Sequence, residues 1–261
     1  MQGIRKPAVA GSFYPGDIRD LDIAVKNHLK SAKPQGVVPK AIIAPHAGFI
    51  YSGPIAASAY AQILPAKDII KKVVLLGPSH RVPLQGLAAS SAKAFSTPLG
   101  EVPLDQEAIQ KILKFPQVTL MEEAHRLEHS LEVHLPFLQK ILTNFKLIPL
   151  VVGDAEGEDV AEVLEALWGG EETLIVISSD LSHYHDYQTA KKRDQKTTNA
   201  IERLAPEEID YEDACGRNPI KGLLVLAKKR GLKATTLDVR NSGDTQGSRD
   251  QVVGYGAYAF Q

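Results

Sequence analysis

Only one cysteine, Cys215, occurs in the 261 residues, so no disulfide can form within the chain, and a reducing, cytoplasmic setting is expected. An excess of one charge sign is missing too. Thirty Lys and Arg against 31 Asp and Glu leave a net charge of −1, which argues against a general nucleic-acid or anionic-membrane surface. No apolar run approaches the ~20 residues needed to span a bilayer. The opening MQGIRKPAVAGSFYPGD has no apolar core of the kind a signal peptide carries. No internal repeat and no low-complexity linker breaks the sequence, so a single domain over residues 1–261 is expected. With 44% hydrophobic residues the chain has enough apolar side chains for one sizeable core.

What is present is a recurring pattern. Three short runs rich in Ile, Val and Leu each stop at a polar cluster containing histidine: AIIAPHAGFIYSG (Ala41–Gly53), VVLLGPSH (Val73–His80) and LIVISSDLSHYH (Leu174–His185). Continuous apolar runs of this length read as strands buried on both faces, as in a parallel sheet. Parallel strands deliver whatever follows them to one common edge, and in open α/β sheets that carboxyl edge is where ligands bind. His46, His80, Asp180 and His183 are therefore candidates to meet at one crevice.

The rest of the chain alternates between the two kinds of element. Ile18, Leu21, Val25 and Leu29 recur at helical spacing, which predicts a helix over Asp17–Ser31. Further helices are expected at Pro54–Ile63, with its proline at the start, and at Asp105–Lys114, Glu158–Trp168, Tyr187–Leu204 and Pro219–Lys229. Strands are expected at Lys40–Ala44, Lys72–Leu76, Leu147–Val152, Leu174–Ser178, Lys233–Val239 and Gln251–Phe260. The Pro/Gly/Ser-studded stretch Gly77–Pro103 is expected to hold short antiparallel strands such as Leu87–Ser90. This alternation predicts an α/β fold, a three-layer sandwich with a mostly parallel central sheet.

Imidazole is the commonest protein ligand of metals, and two or three on one rim suit Zn, Fe, Cu or Ni. Asp180 and His183 are three apart and face one site if the turn holding them is helical. Glu128-His129-Ser130-Leu131-Glu132-Val133-His134 is a second dense cluster, either the charged start of a helix or part of the same site. His28 and His125 read as surface or packing residues. Cys215, in EDACGRNPIKGLL, precedes a predicted helix. It reads as a small buried hydrophobe, as a soft metal ligand beside two imidazoles, or as a nucleophile paired with histidine.

Six motifs, PAVAGSFYPG (Pro7–Gly16), APHAGFIYSG (Ala44–Gly53), LLGPSH (Leu75–His80), EHSLEVHLPFL (Glu128–Leu138), SSDLSHY (Ser178–Tyr184) and CGRNPI (Cys215–Ile220), resemble those of the Memo family in order and span. In bacteria and archaea that family is called AmmeMemoRadiSam system protein B. The resemblance implies a fold similar to class III extradiol dioxygenases, which are non-haem iron(II) enzymes. It also implies a metal site built from His46, His80 and Cys215, holding iron or copper, with zinc as a further option. His183 would stand where the dioxygenases keep an acid/base histidine, with Asp180 orienting it, and His129, Glu132 and Tyr51 would line the same pocket. The implied partners are a small-molecule or peptide ligand, a radical-SAM protein and an AMMECR1-type protein. The dioxygenases use two histidines and a carboxylate, whereas the third ligand here would be a thiolate, which is softer and open to oxidation. Ring cleavage therefore does not follow from the fold. The expected function is that of a redox or oxygen-using metalloenzyme, with a vestigial pocket that binds peptides or small ligands, or a Cys–His hydrolase, as the alternatives.

Overall fold

The computed structural model describes residues 3–261. In chain order the elements are β1 (Ile4–Arg5), α1 (Ile18–Ser31), β2 (Ala41–Ala44), α2 (Phe49–Tyr60), β3 (Lys72–Pro78), β4 (Leu87–Ala89), β5 (Ala94–Thr97) and β6 (Gly100–Pro103). They continue with α3 (Gln106–Ile112), β7 (Val118–Leu120), α4 (Glu122–Arg126), α5 (Leu135–Ile141), β8 (Lys146–Val152), α6 (Gly157–Ala166), β9 (Thr173–Ser178) and β10 (Asp180–His185). Last come α7 (Tyr187–Glu202), α8 (Arg217–Arg230), β11 (Ala234–Asn241) and β12 (Val252–Phe260). Among the described residues no helix is long and apolar enough to cross a membrane.

Nine strands form one sheet in the order β10-β12-β2-β9-β3-β8-β4-β7, with β11 also paired to β12. Its centre, β2-β9-β3-β8, is parallel throughout, while β12 and β4 attach to the two sides of this block antiparallel. Side chains of the central strands are almost all buried, which is why their sequences are continuous Ile/Val/Leu runs without alternation. A fully buried side chain of this size contributes roughly 1.5–3 kcal/mol over an exposed one, so these runs dominate the core. A small separate sheet, β1-β5-β6, carries the N-terminal strand.

Crossover handedness places the helices. The step from β2 through α2 to β3 moves one way across the sheet, and the step from β8 through α6 to β9 moves the other way. Right-handed crossovers therefore put α2 and α6 on opposite faces. Helices α1, α2 and α5 pack together on the first face, and α6 packs on α8 over the second, so the sheet is sandwiched between helical layers. The α6–α8 approach is close because Gly222 has no side chain: a Cβ there would lie 2.4 Å from Val160 Cγ1.

Two expected elements differ. Helix α2 starts at Phe49, so Pro54 lies within it and not at its start. The backbone bond that proline cannot donate would have gone to the carbonyl of Ile50, a residue that is 63% exposed and within reach of water. Leu87–Ala89 is, as expected, a short antiparallel strand, paired with β8 in the large sheet and parallel to β7 on its other side, and β5 and β6 in the same stretch pair antiparallel. The segment after β9 is the strand β10, not a helical turn. Its register shifts between Asp180 and His183 and again between His183 and His185. These bulges alter the facing of residues that regular alternation would put on opposite sides. Tyr184 between them sits at φ 60, a strained conformation for a bulky residue.

Candidate metal centre

The carboxyl ends of β2, β9, β3 and β8 lie side by side, and a cavity of about 1180 Å³ opens above them. His46, His80, His129, Asp180, His183 and Cys215 all line it. One atom from each of His46, His80 and Cys215 comes within 4.8 Å of the others, and Cys215 Sγ is 3.4 Å from His46 Nε2.

The hydrogen bonds of His46 decide its tautomer. The Ser178 hydroxyl gives its one proton to the Ser130 carbonyl at 2.6 Å. At its 2.6 Å contact with His46 Nδ1 it can therefore only accept, so Nδ1 carries the proton and Nε2 presents a lone pair to the thiol. Burial, reinforced by the neighbouring imidazoles, holds His46 well below the ordinary histidine range, so the ring is neutral.

His80 is held in the same manner by a carboxylate. Its Nδ1 donates to Glu128 Oε1 at 2.9 Å and its backbone N–H to Oε2 at 2.6 Å, leaving Nε2 free. Burial alone would raise the Glu128 carboxyl. The His80 contact and the backbone N–H groups of Ser130 and His80 outweigh it and hold the group down at about 2. Glu128 also accepts from His129 N and Ser130 N, both at 2.9 Å. With four donors on its oxygens, Glu128 is an orienting group. The trio His80–Glu128–His129 is also close enough for a cation, but three of the four donors sit on Oε1 and the fourth holds Oε2 to the His80 backbone, which ties the carboxylate to the two histidines' loops.

Cys215 reaches the site because α8 begins at the end of β9. Gly216 N donates to Ser179 Oγ at 2.9 Å, and a Cβ on Gly216 would lie 2.6 Å from the Ser178 carbonyl, so only glycine allows the approach. The sulfur accepts the Asp180 N–H at 3.3 Å. Burial, with the nearby Asp180 carboxyl, pushes the thiol far above its ordinary pKa. A cation would reverse that preference by taking the thiolate. Two imidazoles, each anchored through Nδ1 and each leaving Nε2 toward the cavity, and one thiol fit a transition metal of the Zn, Cu or Fe class.

Asp180 is placed differently from the expectation. Its Oδ1 accepts the His46 backbone N–H at 2.8 Å and no hydrogen bond joins it to His183, so it shapes the loop after β2. Burial pushes its carboxyl up to about 7. His183 is half-buried on the cavity wall, and burial lowers its pKa. His129 lines the cavity with Phe13 4.7 Å away, ring to ring, and burial pulls it down to about 4.

Glu132 and Tyr51, expected in the lining, are absent from it. Glu128 and Glu132 do not share a helix face, since α4 ends at Arg126 and Glu132 begins a separate 3-10 turn. Glu132 turns away to bind Arg5, the backbone N–H groups of Ala8 and Val9, and the Tyr14 hydroxyl. Tyr51 is half-buried on the first turn of α2. His125 is buried against the Ala88 carbonyl and His28 packs on Gly53 and Phe49, as packing residues do. The supporting pair Ser178–Ser130 and the wall residues Phe13, Tyr211 and Arg217 carry no local sequence signal of their role.

Comparisons with known proteins agree on the family. The Memo-like protein model matches residues 5–259. A MEMO1 family protein of Aquifex aeolicus strain VF5 is 41% identical over 263 residues, covering 97% of each chain. One from Saccharolobus solfataricus is 35% identical, covering 98% of this chain and 99% of its own length. Among solved structures, an uncharacterized protein from Escherichia coli K12 matches with a TM-score of 0.53 at 14% identity, over 82% of this chain and 98% of that one. That likeness concerns the fold alone. A match of the family model over nearly the whole length, with relatives this similar from end to end, means that the chain belongs to the Memo-like family.

Proposed function

We propose that this protein binds one transition metal ion through His46, His80 and Cys215 and serves as a redox or oxygen-using metalloenzyme on a fold of the class III extradiol dioxygenase kind. The observation that carries the reading is the pair of Nδ1 anchors. Ser178 and Glu128 each engage the Nδ1 nitrogen of one ring and leave Nε2 free, within 4.8 Å of the other ring and the thiol. Metal-binding histidines are typically oriented in this manner. Iron or copper, when bound, would supply one-electron chemistry and polarise a substrate oxygen. The chain itself supplies the cavity, the orientation of the rings, and His183 as the group on the wall that can take or give a proton.

Anaerobic loading followed by elemental analysis tests the reading. About one metal per chain is expected in the wild type, with large losses in His46→Ala and His80→Ala. His183→Ala should keep most of the metal while moving the pH profile of any activity. Equal metal loss in all three variants would make His183 a ligand and overturn its assignment. Failure of the wild type to bind any of iron(II), copper or zinc would overturn the metalloenzyme and move the reading to a binding module. Glu128→Gln probes the anchor: metal affinity should fall about 10–100-fold, as for other partners of ligating histidines. Competition against a chromophoric chelator reads this, and unchanged affinity would mean that His80 needs no carboxylate.

A Cys–His nucleophile pair is a second reading, favoured by the 3.4 Å contact between Cys215 Sγ and His46 Nε2. Against it stands the burial that raises the thiol pKa, because nucleophilic cysteines sit where thiolate is favoured.

A further inference from the structure

We propose that the cavity above His46, His80 and Cys215 receives a small molecule through a carboxylate, and that Arg217 is the group that binds it. This rests on the preceding reading only in placing the substrate in that cavity. Arg217 is the first residue of α8, is half-buried and lines the cavity. Its guanidinium lies 4.6 Å from the centroid of the Tyr211 ring, within cation–π range. Tyr211 is itself 77% exposed, so this large aromatic face serves the arginine and no part of the core.

Among the described residues the Arg217 side chain makes no hydrogen bond and no ion pair. The acids around it are committed elsewhere. Glu212 is 3.0 Å from Arg193 and Asp213 3.4 Å from the same guanidinium, while Asp154 accepts from the Gln85 amide at 3.3 Å. The first turn of α8 contains no acidic residue, although helix starts favour anions and disfavour cations. A guanidinium placed there, over an aromatic face and with no anion bonded to it, adds its charge to the positive potential of the helix start. The contact with the Tyr211 face also restricts the arginine before a ligand arrives, reducing the ordering entropy of binding.

The ligand's anion is a carboxylate and not a phosphate. One guanidinium matches the two oxygens of a carboxylate in a bidentate pair. A phosphate dianion would need more donors, and here it would face the Asp154 and Glu212 carboxylates that also line the cavity.

The test uses metal-free protein, so that no acid can bind through a metal. Benzoate, phenylacetate and hexanoate are titrated beside their neutral amides and phenylphosphonate, observing the arginine Nε–H resonance that Arg217→Lys removes. At least one acid should shift that resonance saturably, its amide should not, and Arg217→Gln should weaken binding of that acid tenfold or more. Tyr211→Leu, at an exposed position, should keep the fold and weaken it about threefold. No shift with any acid, equal binding of the amide, unchanged binding in Arg217→Gln, or tighter binding of phenylphosphonate would each overturn the proposal. Metal titrations of the same proteins separate the two readings. Acid binding without any metal affinity would sink the metalloenzyme and leave Arg217 standing, and metal affinity without acid binding would do the reverse.

Discussion

Cys215→Ser should lose about 100-fold or more in transition-metal affinity, with the fold intact. A complete site of this kind is worth on the order of 10 kcal/mol, so one ligand of three carries about 3 kcal/mol, or about 100-fold. The pH dependence makes the test specific. Burial raises the Cys215 thiol well above its ordinary value, so across the neutral range it holds a proton that a metal must displace. Affinity should therefore rise about tenfold per pH unit, with one proton released per ion bound. His46 adds nothing to this slope, because burial holds it far below the ordinary histidine range and its ring has no extra proton to lose. Serine should remove the slope along with that affinity, because it has no proton to give up in this range. Cys215→Asp should move the sloping range to lower pH, since a carboxyl loses its proton more readily than a thiol in the same buried position, and should move preference from copper or zinc toward iron(II), the harder partner. Competition titrations at three pH values read all of this. A serine variant that binds as tightly as the wild type with the same slope would remove Cys215 from the site.

Much of the fold was legible because the central strands are buried on both faces. Val73–Leu76 and Leu174–Ile177 have no polar residue to obscure the period, and their shared burial implies a parallel block whose ends coincide. The coarse location of the polar clusters after β2, β3 and β9 follows from that alone. What the local pattern could not supply is anything decided by partners distant in sequence. Ser178 orients His46 only because Ser130, 48 positions away, takes its proton. Glu128 and Glu132 look alike in the sequence, four residues apart in one charged cluster. They point apart because His80 claims the first and the N-terminal segment the second. Cys215 lies 169 positions from His46, and no spacing rule joins the two. Its expected place came from a resemblance to known motifs, not from periodicity. Likewise β10 could not be read as a strand, since DLSHYH has neither an apolar run nor clean alternation and depends on two bulges against β12.

The residue that sequence placed at the pocket and structure moved elsewhere should give the largest loss of stability. Glu132 is fully buried and its two oxygens accept from the Arg5 guanidinium, from Ala8 N at 2.7 Å, Val9 N at 3.0 Å and the Tyr14 hydroxyl at 2.5 Å. Burial and the Glu132 charge together raise the Tyr14 pKa, keeping that hydroxyl a donor. Removing the carboxylate in Glu132→Ala strands a buried arginine beside three unsatisfied donors, a change of about 3–5 kcal/mol by analogy with other broken buried pairs. At about 2–4 °C per kcal/mol for domains of roughly this size, the melting temperature should fall by about 10 °C. The loss should also reach the cavity, because this carboxylate anchors the segment that brings Phe13 against His129. Arg5→Met combined with Glu132→Leu should recover part of the stability by removing both charges, but not all of it, since Ala8, Val9 and Tyr14 still lack an acceptor. Thermal melts of the two variants decide the matter. A single Glu132→Ala variant within about 1 kcal/mol of the wild type would mean that water replaces the carboxylate and that the N-terminal segment is held by its apolar contacts instead.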